Sequence, residues 1–241
     1  MLKQRVITAL ILAPLALFAI LFLPLSGFEA LIGFVVALGA WEWADLSGLK
    51  AAPQKAIFTA FVVTCCALLA IYQPTDMIWH HGTLNPLYKT ILGISTAWWA
   101  LSLAMILAYP KYTAFWRNSV LMRCLFGVLT LVPTWVAVVT LRTSLYEVDD
   151  FYGASLIFYV LGIVWAADIG AFFIGVKFGR HKLRPNVSPG KTLEGLLGGV
   201  GASSAIIAFS VLHYQVDPTR IWLHALIGGL TVGVSALGDL N

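Results

Sequence analysis

The sequence predicts an all-α, polytopic integral membrane protein. Of its 241 residues, 60% are hydrophobic and only 11% charged, whereas about a quarter of the residues of a soluble domain carry charge. Mean hydropathy is +0.88. Eight apolar stretches fill most of the chain, each close to the roughly 20 residues that a helix needs to cross a bilayer core. Disorder and collagen-like repetition are excluded, because the 21 Gly and 10 Pro follow no strict period and the apolar fraction is far too high. The whole of 1–241 reads as a single transmembrane domain. Any chemistry must therefore sit in the helices or in the short loops between them.

The first span, 6–25, follows a basic start. Its apolar run is longer than the core of a signal peptide and no small-x-small cleavage site follows, so it reads as a retained helix. The second span is 28–45, with Glu42 and Asp45 at its inner end suited to headgroup-level salt bridges. The third, 56–72, holds Cys65 and Cys66, which with Cys124 read as small hydrophobes rather than as disulfide or metal partners. A polar loop follows with His80 and His81, adjacent histidines without a nearby carboxylate or thiol and so poor ligand spacing. The remaining spans are 90–109, 123–141, 154–176, 193–213 and 221–240. Trp41, Trp43, Trp79, Trp98, Trp99, Trp116 and Trp222 lie mostly toward span ends, where an aromatic belt accounts for them. Gly175 to Gly179, Gly195 to Gly199 and Gly229 to Gly233 read as small-residue helix-packing faces.

With the N-terminus cytoplasmic, inside segments hold twelve basic residues and outside segments only Lys89, Arg142 and Arg220. That bias fixes the orientation. It places the connection between the sixth and seventh spans in the cytoplasm, together with Arg180, Lys182, Arg184 and Lys191.

This connection, WAADIGAFFIGVKFGRHKLRPNVSPGKTLEGLLGG, is where chemistry concentrates. Asp168 lies inside the sixth span, where an ionised carboxylate needs a partner cation or a wet cavity. Ser188-Pro189 reads as a helix start, with a capping hydroxyl and a proline in the first turn. Gly190, Lys191, Thr192 and Glu194 then fall at the positive end of a helix dipole, a setting that suits phosphate. A Walker A loop is excluded, since Pro185 stands where its first glycine should be and a membrane helix replaces the preceding strand. Asp239 is a further intramembrane acid at the inner end of the last span. Carboxylates and phosphate-binding cations at one membrane face suit magnesium-assisted phosphoryl or nucleotidyl transfer. The alternative is a secondary transporter or lipid-moving protein, whose acids would lie near the midplane of repeated halves. No such repeat is visible.

The segments LKQRVITALILAPLAL, ADIGAFFIGVKFGRHKL, SPGKTLEG and SALGDL resemble the bacterial phosphatidate cytidylyltransferases, or CDP-diacylglycerol synthases. SPGKTLEG matches the family's Ser-Pro-x-Lys-Thr-x-Glu-Gly pattern at every specified position. The resemblance implies transfer of CMP from CTP to phosphatidic acid, releasing pyrophosphate, at the cytoplasmic face of a bacterial inner membrane. Family members continue past the Gly-Asp-Leu segment into a lysine-, glycine- and aspartate-rich stretch and a ninth helix, so the chain is expected to be C-terminally truncated, and the sequence leaves open whether it is active alone. Magnesium is the implied cofactor, with Asp239 and Asp168 as metal ligands, and a monovalent cation such as K+ is also compatible. Lys191, Ser188, Thr192, Glu194, Arg180, Lys182 and Arg184 are the expected phosphate-binding set. Asp168 and Glu194 either ligate metal directly or orient Lys191, and the sequence leaves both roles open. Expected partners are CTP, phosphatidic acid and membrane lipids, with a homodimer compatible and nucleic acid excluded.

Overall fold

The computed structural model describes residues 2–109, 113–184 and 188–238. The chain forms α1 (Leu2–Phe22), α2 (Leu25–Leu46), α3 (Ala52–Tyr72), a hairpin of β1 (Trp79–His80) and β2 (Thr83–Leu84), α4 (Pro86–Ala108), a short α5 (Ala114–Arg117), α6 (Val120–Arg142) and α7 (Tyr152–Phe178). A second hairpin, β3 (Lys182–Arg184) and β4 (Ser188–Thr192), leads into α8 (Leu193–His213) and α9 (Ile221–Gly238). Among the described residues, α2, α3, α4, α6, α7 and α8 are long and apolar enough to span a bilayer. The fold is thus nearly all-α and polytopic, as the sequence predicts, with α1 and α9 at the positions of its first and last spans.

Several helices start earlier than the predicted spans. α3 begins at Ala52 and α6 at Val120, several residues before their apolar runs. Helical hydrogen bonding runs on through polar residues while a start signal permits it. Pro53 supplies that signal in α3, and the Ser119 hydroxyl, accepting from Met122 N at 3.2 Å, supplies it in α6.

Two compact units form. The first comprises 1–98 and 112–157. Its core joins Val36, Ala40 and Ala44 of α2, Phe58, Val62 and Cys66 of α3, and Val132, Trp135, Val136 and Val139 of α6. Spacings of four residues line each set along one helix face, and the fully buried alanines let the neighbouring helices approach. Cys66 is accordingly a packed apolar side chain. Three indoles bond across elements: Trp43 Nε1 donates to Arg123 O at 2.8 Å, Trp135 Nε1 to Glu29 O at 3.1 Å and Trp79 Nε1 to Thr140 O at 3.1 Å. Trp98 adds a fourth such bond, to Thr130 Oγ1 at 3.1 Å. Trp43, Trp79 and Trp98 are therefore structural donors, a correction to their reading as belt residues.

Basic residues gather at one end of this unit. Asp45 pairs with Lys55 at 2.7 Å and Lys50 at 3.8 Å, as expected of a headgroup-level bridge, while Glu42 is exposed. Arg123 Nε donates to Ser47 O at 3.0 Å, covering the negative end of α2.

The second unit comprises 99–111 and 158–241. Ile163, Ala167, Ile207 and Val232 form its core. α7 and α8 meet through small residues. A Cβ on Gly170 would overlap the Gly198 carbonyl oxygen and come within 2.7 Å of Ala202 Cβ, and one on Gly198 would lie 2.5 Å from Ile174 Cβ. Ser203 Oγ adds a bond to Ile163 O at 3.0 Å. The expected Gly175–Gly179 and Gly195–Gly199 faces are both used here. The Gly229–Gly233 face is not: a Cβ at either position would meet nothing within 4 Å, and Gly228 packs instead, against Ile207. All three glycines are possible on sequence grounds, and the azimuth at which α9 meets α8 selects Gly228.

Candidate active site

The chain leaves α7 with Lys177 in its last turn, where a cation faces the negative helix end. Gly179 must be glycine, because a Cβ there would strike the Gly175 carbonyl and lie 2.8 Å from Thr192 Cγ2. Lys182 then pairs with Thr192 and Arg184 with Ser188 in an antiparallel ladder with an irregularity between them. Leu193 N donates to His181 O at 2.9 Å, closing the hairpin at its base.

This geometry corrects the predicted helix start. Ser188 and Pro189 are not the cap and first turn of α8 but belong to β4. The helix begins at Leu193, and Thr192, extended at φ −123 and ψ 156, is its N-cap, with Oγ1 accepting from Gly195 N at 3.1 Å. Both Ser188 and Thr192 have capping chemistry. Pairing with β3 holds the chain extended for four further residues and hands the role to Thr192. Two first-turn amides of α8, Leu193 N and Gly195 N, are thereby already bonded to the protein. The expected anion site at this helix terminus loses those donors, which leaves the side chains of the hairpin as the candidates for phosphate contact.

Side chains alternate along a strand. Thr192 is buried against Gly175 and Gly179 of α7, so Lys191, half-buried, points away from that packing. Arg180 and Lys182 are exposed and Ser188 is half-buried. Arg184 is placed through its backbone pairing with Ser188. Between Lys177 and Glu194 the chain carries five basic residues and one acid.

That acid is fully engaged. The Glu194 carboxylate accepts from Arg180 N at 3.1 Å, from His181 N at 3.2 Å and from His181 Nδ1 at 2.6 Å. Asp168 is exposed on α7. It lies seven residues before Gly175, hence on nearly the same side of the helix and about 10 Å further along its axis. Asp239 lies outside the described residues. Among those described, no three His, Cys, Asp or Glu side chains form a group able to hold a metal. Magnesium, however, is commonly held by one or two carboxylates plus substrate phosphates, so a hard oxygen donor such as Asp168 suits it.

Sequence reasoning overlooked two residues. His181 was hidden because its partner is thirteen residues away, around a hairpin that hydropathy does not reveal. Glu29, an acid early in α2, has a buried Oε1 without a hydrogen-bond partner, and its interruption of an apolar run was the available signal.

A model of the cytidylyltransferase family matches residues 3–241. The chain belongs to that family. As a cytidylyltransferase-family member it is a nucleotidyltransferase, which sets aside the transporter alternative. It is 39% identical to a phosphatidate cytidylyltransferase of Pseudomonas aeruginosa over 100% of this chain and 82% of the relative. The corresponding protein of Haemophilus influenzae is 34% identical over 100% of this chain and 84% of its own length. A Bacillus subtilis phosphatidate cytidylyltransferase is 37% identical over 38% of the chain. The expected family is thus the observed one, and in this cytidylyltransferase the α7–α8 connection carries the basic hairpin just described.

Proposed function

We propose that the chain transfers CMP from CTP to phosphatidic acid at the cytoplasmic face of a bacterial inner membrane, giving CDP-diacylglycerol and pyrophosphate. The observation that carries this reading is the basic hairpin at the junction of two bilayer-length helices, with Asp168 on the adjoining face of α7. Whole-chain similarity to two phosphatidate cytidylyltransferases supports the choice of substrates.

A lipid phosphate monoester has a second pKa near 6, so it is largely ionised at neutral pH and needs no general base. Its oxygen forms a bond to the α-phosphorus of CTP while the bond to the β-phosphate oxygen breaks, and pyrophosphate leaves with that electron pair. The protein's task is to bring two polyanions together in line and offset the charge on the departing group. Lys191 contacts phosphate from the hairpin, and Arg180, Lys182 and Arg184 raise the local positive potential. Ser188 and Thr192 shape the strand that presents Lys191. Asp168 and Asp239 are the proposed holders of magnesium, which when bound supplies charge neutralisation at the phosphates.

The test is radiolabelled CTP with phosphatidic acid in membranes from cells expressing the chain. Label should appear in CDP-diacylglycerol with stoichiometric pyrophosphate. Label transfer to a different acceptor, with phosphatidic acid ignored, would overturn the substrate assignment.

A further inference from the structure

His181 is bonded to the start of α8 through three separate atoms. Its amide and its Nδ1 both donate to the Glu194 carboxylate, and its carbonyl accepts from Leu193 N. Arg180 N is the third donor to the same carboxylate. A carboxylate accepts only, so Nδ1 must carry a proton, which fixes how the imidazole is used. We infer that His181 and Glu194 form a clasp that sets the register of the basic hairpin, making His181 a positioning residue and assigning Glu194 to positioning rather than to metal binding.

An ordinary surface ion pair contributes little to structure. This contact differs in kind, because two of its donors are backbone amides that follow the end of α7. Arg180 and His181 lie past the last residue of α7, so their amides have no helical acceptor, and the carboxylate ties both to the second residue of α8. The next residue along is Lys182, paired with Thr192, and Lys191 adjoins that pair. Releasing the clasp therefore frees the hairpin at its base, the point at which Lys182 and Lys191 are held in step. The Thr192 cap remains, so α8 itself survives.

The inference rests on the cytidylyl-transfer reading for its effect on catalysis, but not for its effect on hairpin order. The test uses His181→Ala, His181→Asn, Glu194→Ala and the double alanine variant in membranes, each with and without Leu183→Cys. An impermeant maleimide reports hairpin order at position 183, and the native cysteines, all within helices, provide the background. Loss of the Nδ1 bond alone predicts labelling about threefold to tenfold faster in His181→Ala, and loss of all three carboxylate bonds at least about tenfold faster in Glu194→Ala. The double variant should be no worse than Glu194→Ala, since that substitution alone removes every bond of the clasp. Asparagine, whose amide can replace the Nδ1 donor, should restore labelling to within about threefold of the parent. The KM for CTP should rise about tenfold in the alanine variants, with a smaller change in kcat, and return with asparagine. Unchanged labelling, additive losses, or asparagine behaving like alanine would overturn the clasp. Changed and rescued labelling with an unmoved KM for CTP would uphold the clasp and overturn the assignment of the hairpin to nucleotide binding.

Discussion

Substituting Gly170 by alanine tests the α7–α8 contact that carries the hairpin. The new methyl group would overlap a backbone carbonyl, that of Gly198, and meet Ala202 Cβ at 2.7 Å. A backbone atom cannot swing aside as a flexible side chain can, so the two helices must separate locally. Overpacking of this kind costs about 1–3 kcal/mol. For a chain of this size each kcal/mol corresponds to roughly 2–4 °C in Tm, which predicts a fall of about 2–12 °C. Gly233→Ala is the matched control: its Cβ would meet nothing within 4 Å, and alanine has the higher helix propensity. It should leave Tm unchanged or slightly raised. The assay is thermal aggregation of detergent-solubilised protein followed by size-exclusion chromatography, with both variants at equal expression. Equal shifts for the two substitutions would refute the assignment of Gly170 and Gly198 to the helix contact.

Lys191→Ala should lower CMP transfer by about a hundredfold, the scale of losing one preorganised charged donor, and Lys191→Arg should recover only part of it; near-normal turnover in the alanine variant would leave Lys191 a mere positive-inside residue. Asp168→Asn keeps size and one acceptor but loses charge, so the magnesium concentration for half-maximal activity should rise by about tenfold, and superimposable magnesium curves would remove Asp168 from the metal site. In the loop before α9, the Asp217 carboxylate accepts from Thr219 N at 2.8 Å and Thr219 Oγ1 at 2.6 Å, and these bonds hold its pKa below the usual carboxylate value. The folded pKa is depressed, so this contribution to stability is present above the unfolded value of about 3.9 and is lost as pH falls through the folded one. Asp217→Asn should accordingly lower the neutral plateau slightly and converge with the parent once Asp217 is protonated in acid, which flattens the acid limb, as read by limited proteolysis of the loop. Cysteine labelling at positions 183 and 148 in sealed vesicles checks the orientation, with 183 expected to react only from the cytoplasmic side.

The bilayer makes helix placement legible, because a spanning segment must be apolar for its whole length and little else in a sequence looks like that. It does not make helix ends legible: α3 and α6 extend past their apolar runs because start signals, not hydropathy, decide where hydrogen bonding begins. Tryptophan roles were hidden for a related reason. An indole near a span end satisfies its N–H equally well at the headgroups or on a neighbouring carbonyl, and only the packing that brings Arg123 O to Trp43 distinguishes the two. The same holds for α9, where three glycines offer a small face and the crossing with α8 uses one.

At the candidate site the residue types were legible and their local structure was not. Ser188 followed by Pro189 is a good helix start, and so is Thr192 followed three residues later by Gly195 N; short-range preference cannot choose between them. What chooses is non-local, the pairing of β4 with Lys182–Arg184 and the closure of its base by His181 and Glu194. The chemical consequence is large. With Lys191 in the first turn of a helix, much of the phosphate affinity would come from free amides and the helix dipole, and losing one lysine would be partly buffered. In the strand before the cap, Lys191 has fewer such amides behind it, because Leu193 N and Gly195 N are bonded elsewhere. Under the proposed cytidylyl-transfer reading, phosphate contact then falls to the side-chain charges of the hairpin, and so to the clasp that holds the hairpin in register.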